Sequence, residues 1–351
     1  MQNRIEKLRA ALGSDESAFI SGYPNIFYYS GFASEDAYLL ISHDRQILIT
    51  DSRYTIQAHE QSPEFEIADI KTGFENIFSK IGKMQIGYEE NSMTVGEYKR
   101  LWKKLGHHQE FTEMQKLIDK PRRIKDETEI AKIAEAEKIG DAAFEYILPR
   151  IKSGRTEREI ALELEFFMKK QGASRLSFDT IAASGKRSAM PHGMASGKVI
   201  ENGDFLTLDF GCVFEGYCSD MTRTVVVGKA NEKQKEIYDI VLKAHTAAID
   251  AIKAGEKCSY IDAAARNIIK NAGYGDNFGH GLGHSVGIEI HEMPSFSPKS
   301  NDIVENGNVI TVEPGIYIEG FGGVRIEDLI AVKDGKAVNL THSPKNLIEI
   351  A

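Results

Sequence analysis

An α/β amino-terminal domain followed by an α+β domain built from two related halves is the fold class this sequence predicts. Three observations carry that reading. The tripeptide Glu-Asn-Gly occurs at residues 201–203 and again at 305–307, each time leading into an alternating apolar strand that carries an acid. Two amphipathic helical segments precede each copy. Ahead of both, the first 120 residues alternate short strand-like and helix-like stretches and give way to the run Lys120-Pro121-Arg122-Arg123-Ile124-Lys125, where a proline and clustered charge interrupt the pattern. The expected domains are 1–120 and 121–351.

In the first domain Ala18–Ser21, Ala37–Ile41 and Gln46–Thr50 read as strands, and Arg53–Glu60 and Thr94–Leu105 as helices. His43, His59, His107 and His108 have no carboxylates at a ligand spacing, which favours surface or structural roles. Beyond the linker, Asp126 can cap a long helix. Glu127 and Glu129 suit its positive end, and Ile130, Ile133, Ile139, Phe144 and Ile147 form its apolar face. Thr156 with Glu159 makes a capping box for the next helix, which Gly172 stops. Then Phe205–Phe210 reads as a strand ending at Asp209, and a second apolar run, Val225–Val227, follows a glycine-containing bend. The two form an antiparallel pair with Asp220 at the start of the second strand, so two carboxylates on facing strands can converge on a hard cation. Asn231–Ala254 and Ser259–Ala272 repeat the helix pair, and His245, in mid-helix, takes a structural role.

Aligning the Glu-Asn-Gly turns places Thr207 on Thr311, Asp209 on Glu313 and Gly211 on Gly315 at one offset, and a short shift in register brings Asp220 onto Glu327. Lys152-Ser153-Gly154 and the helix from Ile160 match Lys253-Ala254-Gly255 and the helix from Ile261, with Gly172 on Gly273. His192 in MPHG and His291 in IHEMP take similar places between helix and strand pair. All amphipathic helices look alike, but that does not produce a repeated turn with its acids. The period is far longer than the roughly 20–50 residues of solenoid repeats, so the copies are halves of one domain.

The chain is long enough for two domains of ordinary size. No apolar run approaches the roughly 18 residues needed to span a membrane, and the amino terminus MQNRIEKLRAAL lacks a signal-peptide core, so a cytoplasmic location with no membrane partner is expected. A net charge of −9 argues against nucleic-acid binding, which needs clustered cations, and leaves the one basic run as a solvated linker. Cys212, Cys218 and Cys258 are an odd number, which suits a reducing compartment; none is given a role.

Four carboxylates are more than one mononuclear site uses, and oxygen donors select divalent ions such as Mn, Co or Zn. Residues 279–292 carry His280, His284 and His291 among glycines that let the backbone approach a ligand. This is neither a dinucleotide loop, which a strand and helix would frame, nor a helical HExxH motif, since Met-Pro follows His291-Glu292. An isolated acid at a strand end is usually a turn residue. Five acid or imidazole positions in two repeated frames are hard to obtain by accident.

Nearly the whole chain resembles the pita-bread (creatinase/aminopeptidase) metallopeptidases, the family of methionine aminopeptidase, aminopeptidase P and prolidase, with creatinase as a metal-free relative. The resemblance implies a catalytic domain with a pseudo-twofold internal repeat. Carried over residue by residue, it implies that the metal ligands are Asp209 in LDFG, Asp220 in SDMTRT, His284, Glu313 in TVEPG and Glu327 in VRIED. HGLGH, with His280 ahead of His284, PHG at His192 and HEMP at His291 look like the proline-cleaving branch. YYSGF at 28–32 and ITDSRYTIQA at 49–58 resemble its leading domain, which methionine aminopeptidases generally lack. Lys186 in SGKRSAMPHG is a departure that leaves the substrate side of that loop open.

The resemblance further implies two divalent ions, manganese first with cobalt or zinc as alternatives, which hold and acidify a water. Glu313 would be the general acid/base, and His192 and His291 would hydrogen-bond the substrate carbonyl and developing oxyanion. His280 and Arg325 would contact substrate or steady the ligands. The expected activity is hydrolysis of short peptides with proline at the second position, of aminopeptidase P or prolidase type, by a homodimer. The alternatives are a catalytically silent binding protein on the same fold and a methionine aminopeptidase.

Overall fold

Short β-branched and aromatic runs set the first unit of the computed structural model, which describes residues 2–106 and 109–351; His107 and His108 lie outside the described residues. This unit ends at Arg122 and the other runs Arg123–Ala351. Its six-stranded sheet runs in the order Glu66–Asp69, Gln46–Thr50, Ala37–Ile41, Glu16–Ile20, Gln85–Tyr88, Glu110–Glu113. Ala37–Ile41 is antiparallel to both its neighbours, and the remaining pairs are parallel. Phe19, Leu40, Ile47, Ile49, Phe78 and Ile86 form the core on one face. Glu66–Asp69, Gln85–Tyr88 and Glu110–Glu113 are four residues each, too short for alternation to show in the sequence. Its helices include Gln2–Ala11 and Tyr23–Ser30, which the sequence pattern did not reveal, and Thr55–Gln61 and Val95–Leu105, the last opened by a capping box between Thr94 and Glu97.

In the second unit the first helix, Glu127–Ile147, begins at Asp126, which exchanges capping bonds with Glu129; Glu157–Lys170 follows with the Thr156–Glu159 box. The second half repeats this with Glu232–Ala251, capped by Asn231 and Gln234, and Cys258–Ile269. Each helix pair covers its own sheet. In the first half Phe144, Leu164 and Met168 pack with Leu206, Leu208 and Phe210; in the second Ile237, Val241 and Ile269 pack with Ile310, Val312 and Ile330. Side chains alternate along a strand, so burying Leu206, Leu208 and Phe210 against helices turns Thr207 and Asp209 to the opposite face. The same alternation turns Thr311 away from the helices that bury Ile310 and Val312.

The first half-sheet runs in the order Glu349–Ile350, Met221–Val227, Phe205–Phe210, Ile181–Ser184, and the second in the order Glu292–Phe296, Gly283–Ser285, Val309–Val312, Asp328–Lys333, Lys336–Asn339. Phe205–Phe210 pairs antiparallel with Met221–Val227, and Val309–Val312 with Asp328–Lys333. Between the strands of each pair lies a hairpin: Cys212–Phe214 with Tyr217–Cys218 in one half, Gly315–Ile318 with Gly322–Arg325 in the other. The second is longer, so Glu327 follows Glu313 by fourteen residues whereas Asp220 follows Asp209 by eleven. That difference is the register shift in the repeat. Among the described residues no helix is long and apolar enough to cross a membrane.

The two Glu-Asn-Gly turns share their backbone, with φ +89° at Gly203 and +87° at Gly307. Their surroundings differ. A Cβ on Gly203 meets nothing within 4 Å, whereas one on Gly307 falls 2.8 Å from both Ile124 Cγ2 and the Lys125 carbonyl oxygen. Gly203→Ala should therefore cost about 1–2 kcal/mol through left-handed backbone strain alone. Gly307→Ala should cost roughly 1–3 kcal/mol more through overpacking. Thermal denaturation should show a clearly lower midpoint for the Gly307 variant; equal midpoints would contradict the packing argument.

Candidate metal centre

Both strand pairs deliver their acids to one seam. Asp209 lies in its strand and Asp220 immediately precedes the partner strand, while Glu313 follows Val309–Val312 and Glu327 precedes Asp328–Lys333. The halves meet where Glu327 N donates to the Thr222 carbonyl at 3.1 Å and Thr222 Oγ1 donates to Glu327 Oε2 at 2.6 Å. His284 comes from the short strand Gly283–Ser285, and its backbone N–H donates to Thr311 Oγ1 at 3.1 Å. A Cβ on Gly283 would fall 2.0 Å from the Thr311 carbonyl oxygen, so glycine there is what lets the imidazole strand come this close.

Asp220, His284 and Glu327 each offer a donor atom within 4.8 Å of the others and can hold a metal ion. His284 Nδ1 lies 3.2 Å from the Ser285 carbonyl oxygen, which places the ring proton there and leaves the Nε2 lone pair free. That nitrogen is 3.5 Å from Asp220 Oδ2 and 3.4 Å from Glu313 Oε1. Asp209 and Glu313 stand outside the tightest group. Arg325 Nη2 donates to Asp209 Oδ2 at 2.5 Å, and Thr311 Oγ1 donates to Glu313 Oε1 at 3.1 Å.

These acids repel one another in a dry place. Burial, then the neighbouring carboxylates, raises Asp220 and Glu327 well above the usual range; burial pushes Glu313 up to about 7, with Arg325 opposing. Burial also lowers His284, favouring the neutral ring that binds metals. Asp209 Oδ1 is buried and has no hydrogen-bond partner among the described residues. An orphaned oxygen, a free imidazole lone pair and mutually repelling carboxylates are the donor set of a divalent cation site, so the residues fit the ions that the sequence implies.

The same cavity, about 570 Å³, is lined by Asp209, Asp220, His284, Glu313 and Glu327, and also by His192, His280, His291 and Arg325. His192 and His291 are exposed at its wall, the His291 ring lying edge-on to His284 with centroids 4.3 Å apart. His280 Nδ1 faces the Gly281 carbonyl oxygen at 2.7 Å, so its Nε2 accepts from the Tyr317 hydroxyl at 3.0 Å. Arg325 Nη1 donates to that hydroxyl at 2.8 Å. Burial, then Arg325, pushes His280 down to about 4, which keeps it the acceptor. His280 thus acts on the guanidinium through Tyr317. Lys186 is exposed and is not among the lining residues.

Several supporting groups carried no signal that the sequence reading used. Tyr317 and Thr222 look like ordinary strand residues. Glu137 was legible in principle, being an acid among the apolar positions of its helix. It is fully buried, is pushed up to about 8 by burial, accepts from Asp220 N at 3.2 Å and from Thr341 Oγ1 at 2.6 Å. Arg223, also buried, spends all five N–H groups: on the carbonyls of Thr222, Glu327, Ser343 and Pro344 and on Asp328 Oδ1. His245 is buried with Nε2 3.6 Å from Asp328 Oδ2, away from the cavity lining.

Residues 131–334 match the model of metallopeptidase family M24, and residues 4–124 that of the creatinase/prolidase N-terminal domain. The Xaa-Pro dipeptidase of Pyrococcus furiosus is 39% identical over 351 residues, covering 99% of this chain and 100% of that protein. Among solved structures, the Xaa-Pro dipeptidase from Bacillus anthracis matches with a TM-score of 0.95 at 44% identity over 99% of each chain. The X-Pro aminopeptidase from Thermotoga maritima matches at 0.91 and 38% identity, over 99% of this chain and 100% of that one.

A carboxyl whose folded pKa is raised contributes stability that is fully present below its unfolded value and lost as pH rises through the folded one. For Glu313 that window runs from the ordinary carboxylate range to about 7, and Asp220 and Glu327 act in the same direction. The lowered His245, His280 and His284 act in the opposite sense over this range, so the carboxyl contribution is read against Glu313→Gln, in which the histidine contributions are unchanged. Chelator-treated wild-type protein should lose more of its midpoint between about pH 5.5 and pH 8 than that variant, and added Mn should raise the wild-type midpoint most at the higher pH. An equal change in both proteins would rule out the repulsion.

Proposed function

The chain belongs to metallopeptidase family M24 and is a peptidase, and from that premise we propose that it hydrolyses the Xaa-Pro bond of short peptides. The observation that carries the proposal is the cluster of four enclosed acids and one imidazole opening on a cavity with His192 and His291 on its wall. Its apolar side, including Phe178, Ile181, Ile290 and Phe296, suits the ring of a proline, whose nitrogen carries no N–H to be recognised. The names of the Pyrococcus and Bacillus relatives, given for those proteins, support the same substrate class. The silent alternative requires eroded donor positions, and all five carry donor side chains.

We assign the donors to two divalent ions, manganese first, held by Asp209, Asp220, His284, Glu313 and Glu327. When bound, such ions polarise the scissile carbonyl and make water acidic enough to attack near neutral pH. Glu313 takes the proton of the attacking water and delivers it to the leaving nitrogen. His192 and His291 hydrogen-bond the substrate carbonyl and the oxygen on which negative charge develops. Arg325 holds Asp209 in place and is itself held by Tyr317, Thr222 and the Pro191 carbonyl. A cytoplasmic homodimer completes the proposal; the three unpaired cysteines are consistent with a reducing compartment.

The test is a panel of Ala-Pro, Ala-Pro-Ala and Met-Ala-Ser with Mn, Co and Zn. Cleavage of the proline peptides with little action on Met-Ala-Ser is expected, and the ratio of the first two separates dipeptidase from aminopeptidase behaviour. Protein that binds metal yet cleaves no Xaa-Pro peptide would refute the proposal. Glu313→Gln should lower kcat by at least about a hundred-fold, the scale of a lost general acid/base.

A further inference from the structure

His192 stands on the loop between Ser184, which ends the strand Ile181–Ser184, and Ser196. It is exposed at the cavity wall, and its ring makes no hydrogen bond, ion pair or ring contact among the described residues. The place of the imidazole is therefore set by the loop that carries it. One carboxylate closes that loop. Glu157 Oε1 accepts from Ser184 N at 2.7 Å and Ser184 Oγ at 2.9 Å, while Oε2 accepts from Ser196 N at 3.1 Å and Ser196 Oγ at 2.6 Å. Arg187, inside the loop, donates from Nε to Glu157 Oε2 at 3.0 Å, and its Nη2 reaches across to the Met194 carbonyl at 2.7 Å. The middle of the loop is tied separately, Ser188 Oγ accepting from Gly323 N and the Pro191 carbonyl from Arg325.

The internal repeat shows what the fold requires without that carboxylate. In the first half Glu157 N donates to the Lys198 carbonyl at 3.0 Å, Gly154 N to the Ile200 carbonyl at 2.9 Å and Ile200 N to the Arg155 carbonyl at 2.8 Å. In the second Cys258 N donates to the Asp302 carbonyl at 2.9 Å, Gly255 N to the Val304 carbonyl at 2.8 Å and Val304 N to the Glu256 carbonyl at 2.9 Å. The same three backbone bonds dock each helix start on the segment leading into its Glu-Asn-Gly turn. Yet Cys258 stands where the first half has Glu157, at the offset that sets Gly154 on Gly255. Docking therefore needs no acid. Burying a carboxylate is costly unless its oxygens are bonded, and both oxygens of the fully buried Glu157 are spent on the His192 loop.

We propose that Glu157 is a positioning residue for His192: by holding Ser184 and Ser196 on one carboxylate it fixes the loop between them, and with it the imidazole, at the cavity wall. This rests on the Xaa-Pro peptidase reading, in which His192 hydrogen-bonds the substrate. Glu157 is not among the lining residues and touches no reacting atom, so it acts through the loop alone. A carboxylate suits the task because it only accepts, and all four serine donors point at it. Glutamine keeps the shape but turns an N–H2 toward one serine pair, which opens that end. A group misplaced by about 1 Å can cost about a hundred-fold in rate. A purely stabilising Glu157 would instead matter equally with and without His192.

A double-mutant cycle on Ala-Pro hydrolysis separates the two. His192→Ala should lower kcat about a hundred-fold, the scale of a lost donor to the developing oxyanion. Glu157→Gln should lower kcat about ten-fold, with KM within about two-fold and metal content unchanged. In the His192→Ala background the same substitution should change kcat by less than about two-fold. Ser196→Ala, which removes one hydroxyl from Glu157, should give a smaller loss with the same dependence on His192, and it carries the test if Glu157→Gln does not fold. An equal loss in both backgrounds, no loss in either, or a loss of bound metal overturns the assignment. If wild-type protein cleaves no Xaa-Pro peptide, the peptidase reading fails by itself. Amide hydrogen exchange then decides the role of Glu157: faster exchange confined to residues 185–195 in Glu157→Gln upholds it, and unchanged exchange there overturns it.

Discussion

The site depends on the seam between the two half-sheets, where Thr222 meets Glu327 through a backbone and a side-chain hydrogen bond and Thr224 Oγ1 accepts from the Arg325 N–H and donates to its carbonyl. Acids from both halves are gathered on the cavity side of that contact, and their mutual repulsion works to push it open. Two arginines oppose the repulsion from opposite directions. Arg325, from the second half, reaches into the first to hold Asp209 and Thr222. Arg223, from the first half, reaches into the second to hold the Glu327 carbonyl and Asp328. A guanidinium suits both tasks because its fixed fork of donors satisfies several acceptors at once, which an ammonium on a long stem does not.

Behind the seam the carboxyl-terminal segment becomes part of the site's support. The carbonyls of Ser343 and Pro344 accept from Arg223, Lys345 pairs with Asp328 at 2.6 Å, and Thr341 donates to the Glu137 that steadies Asp220. Glu349–Ile350 then adds a parallel strand beside Val226 and Val227. Buried polar networks of this kind stabilise only when every member is satisfied. Among the described residues Asp209 Oδ1 is a buried acceptor without a hydrogen-bond partner, one that a bound cation would satisfy.

Duplication accounts for why the acids come in pairs, and its imperfections account for how the halves differ. The turns share a left-handed glycine, Gly203 in one half and Gly307 in the other, yet the hairpins beyond the strands differ in length. The longer one, Gly315–Ile318 with Gly322–Arg325, carries Arg325 to the cavity and sets Tyr317 against it, and among the described residues the hairpin of the first half has no equivalent of that pair. His284 likewise comes from a strand of the second half only. The repeat therefore supplies a symmetric set of carboxylates, and the asymmetric additions make a cavity with distinct walls.

Local order and the repeated acids were legible because they rest on short-range physics. Asp126, Thr94 and Thr156 cap their helices through bonds made three residues away, and alternation along Phe205–Phe210 assigns its two faces whatever lies beyond. Three four-residue strands of the first unit, Glu66–Asp69, Gln85–Tyr88 and Glu110–Glu113, were not legible, because so short a run held by backbone pairing with distant strands leaves no pattern of its own. Nor were the partners of the acids. Tyr317 between His280 and Arg325, Arg223 behind Glu327 and Glu137 beneath Asp220 act through contacts across 8 to 105 positions of chain. Side-chain type and spacing thus determine which groups can bind a cation. Which oxygen is left bare, which imidazole nitrogen keeps its lone pair and which loop a carboxylate closes depend on where folding sets groups that sequence distance does not relate.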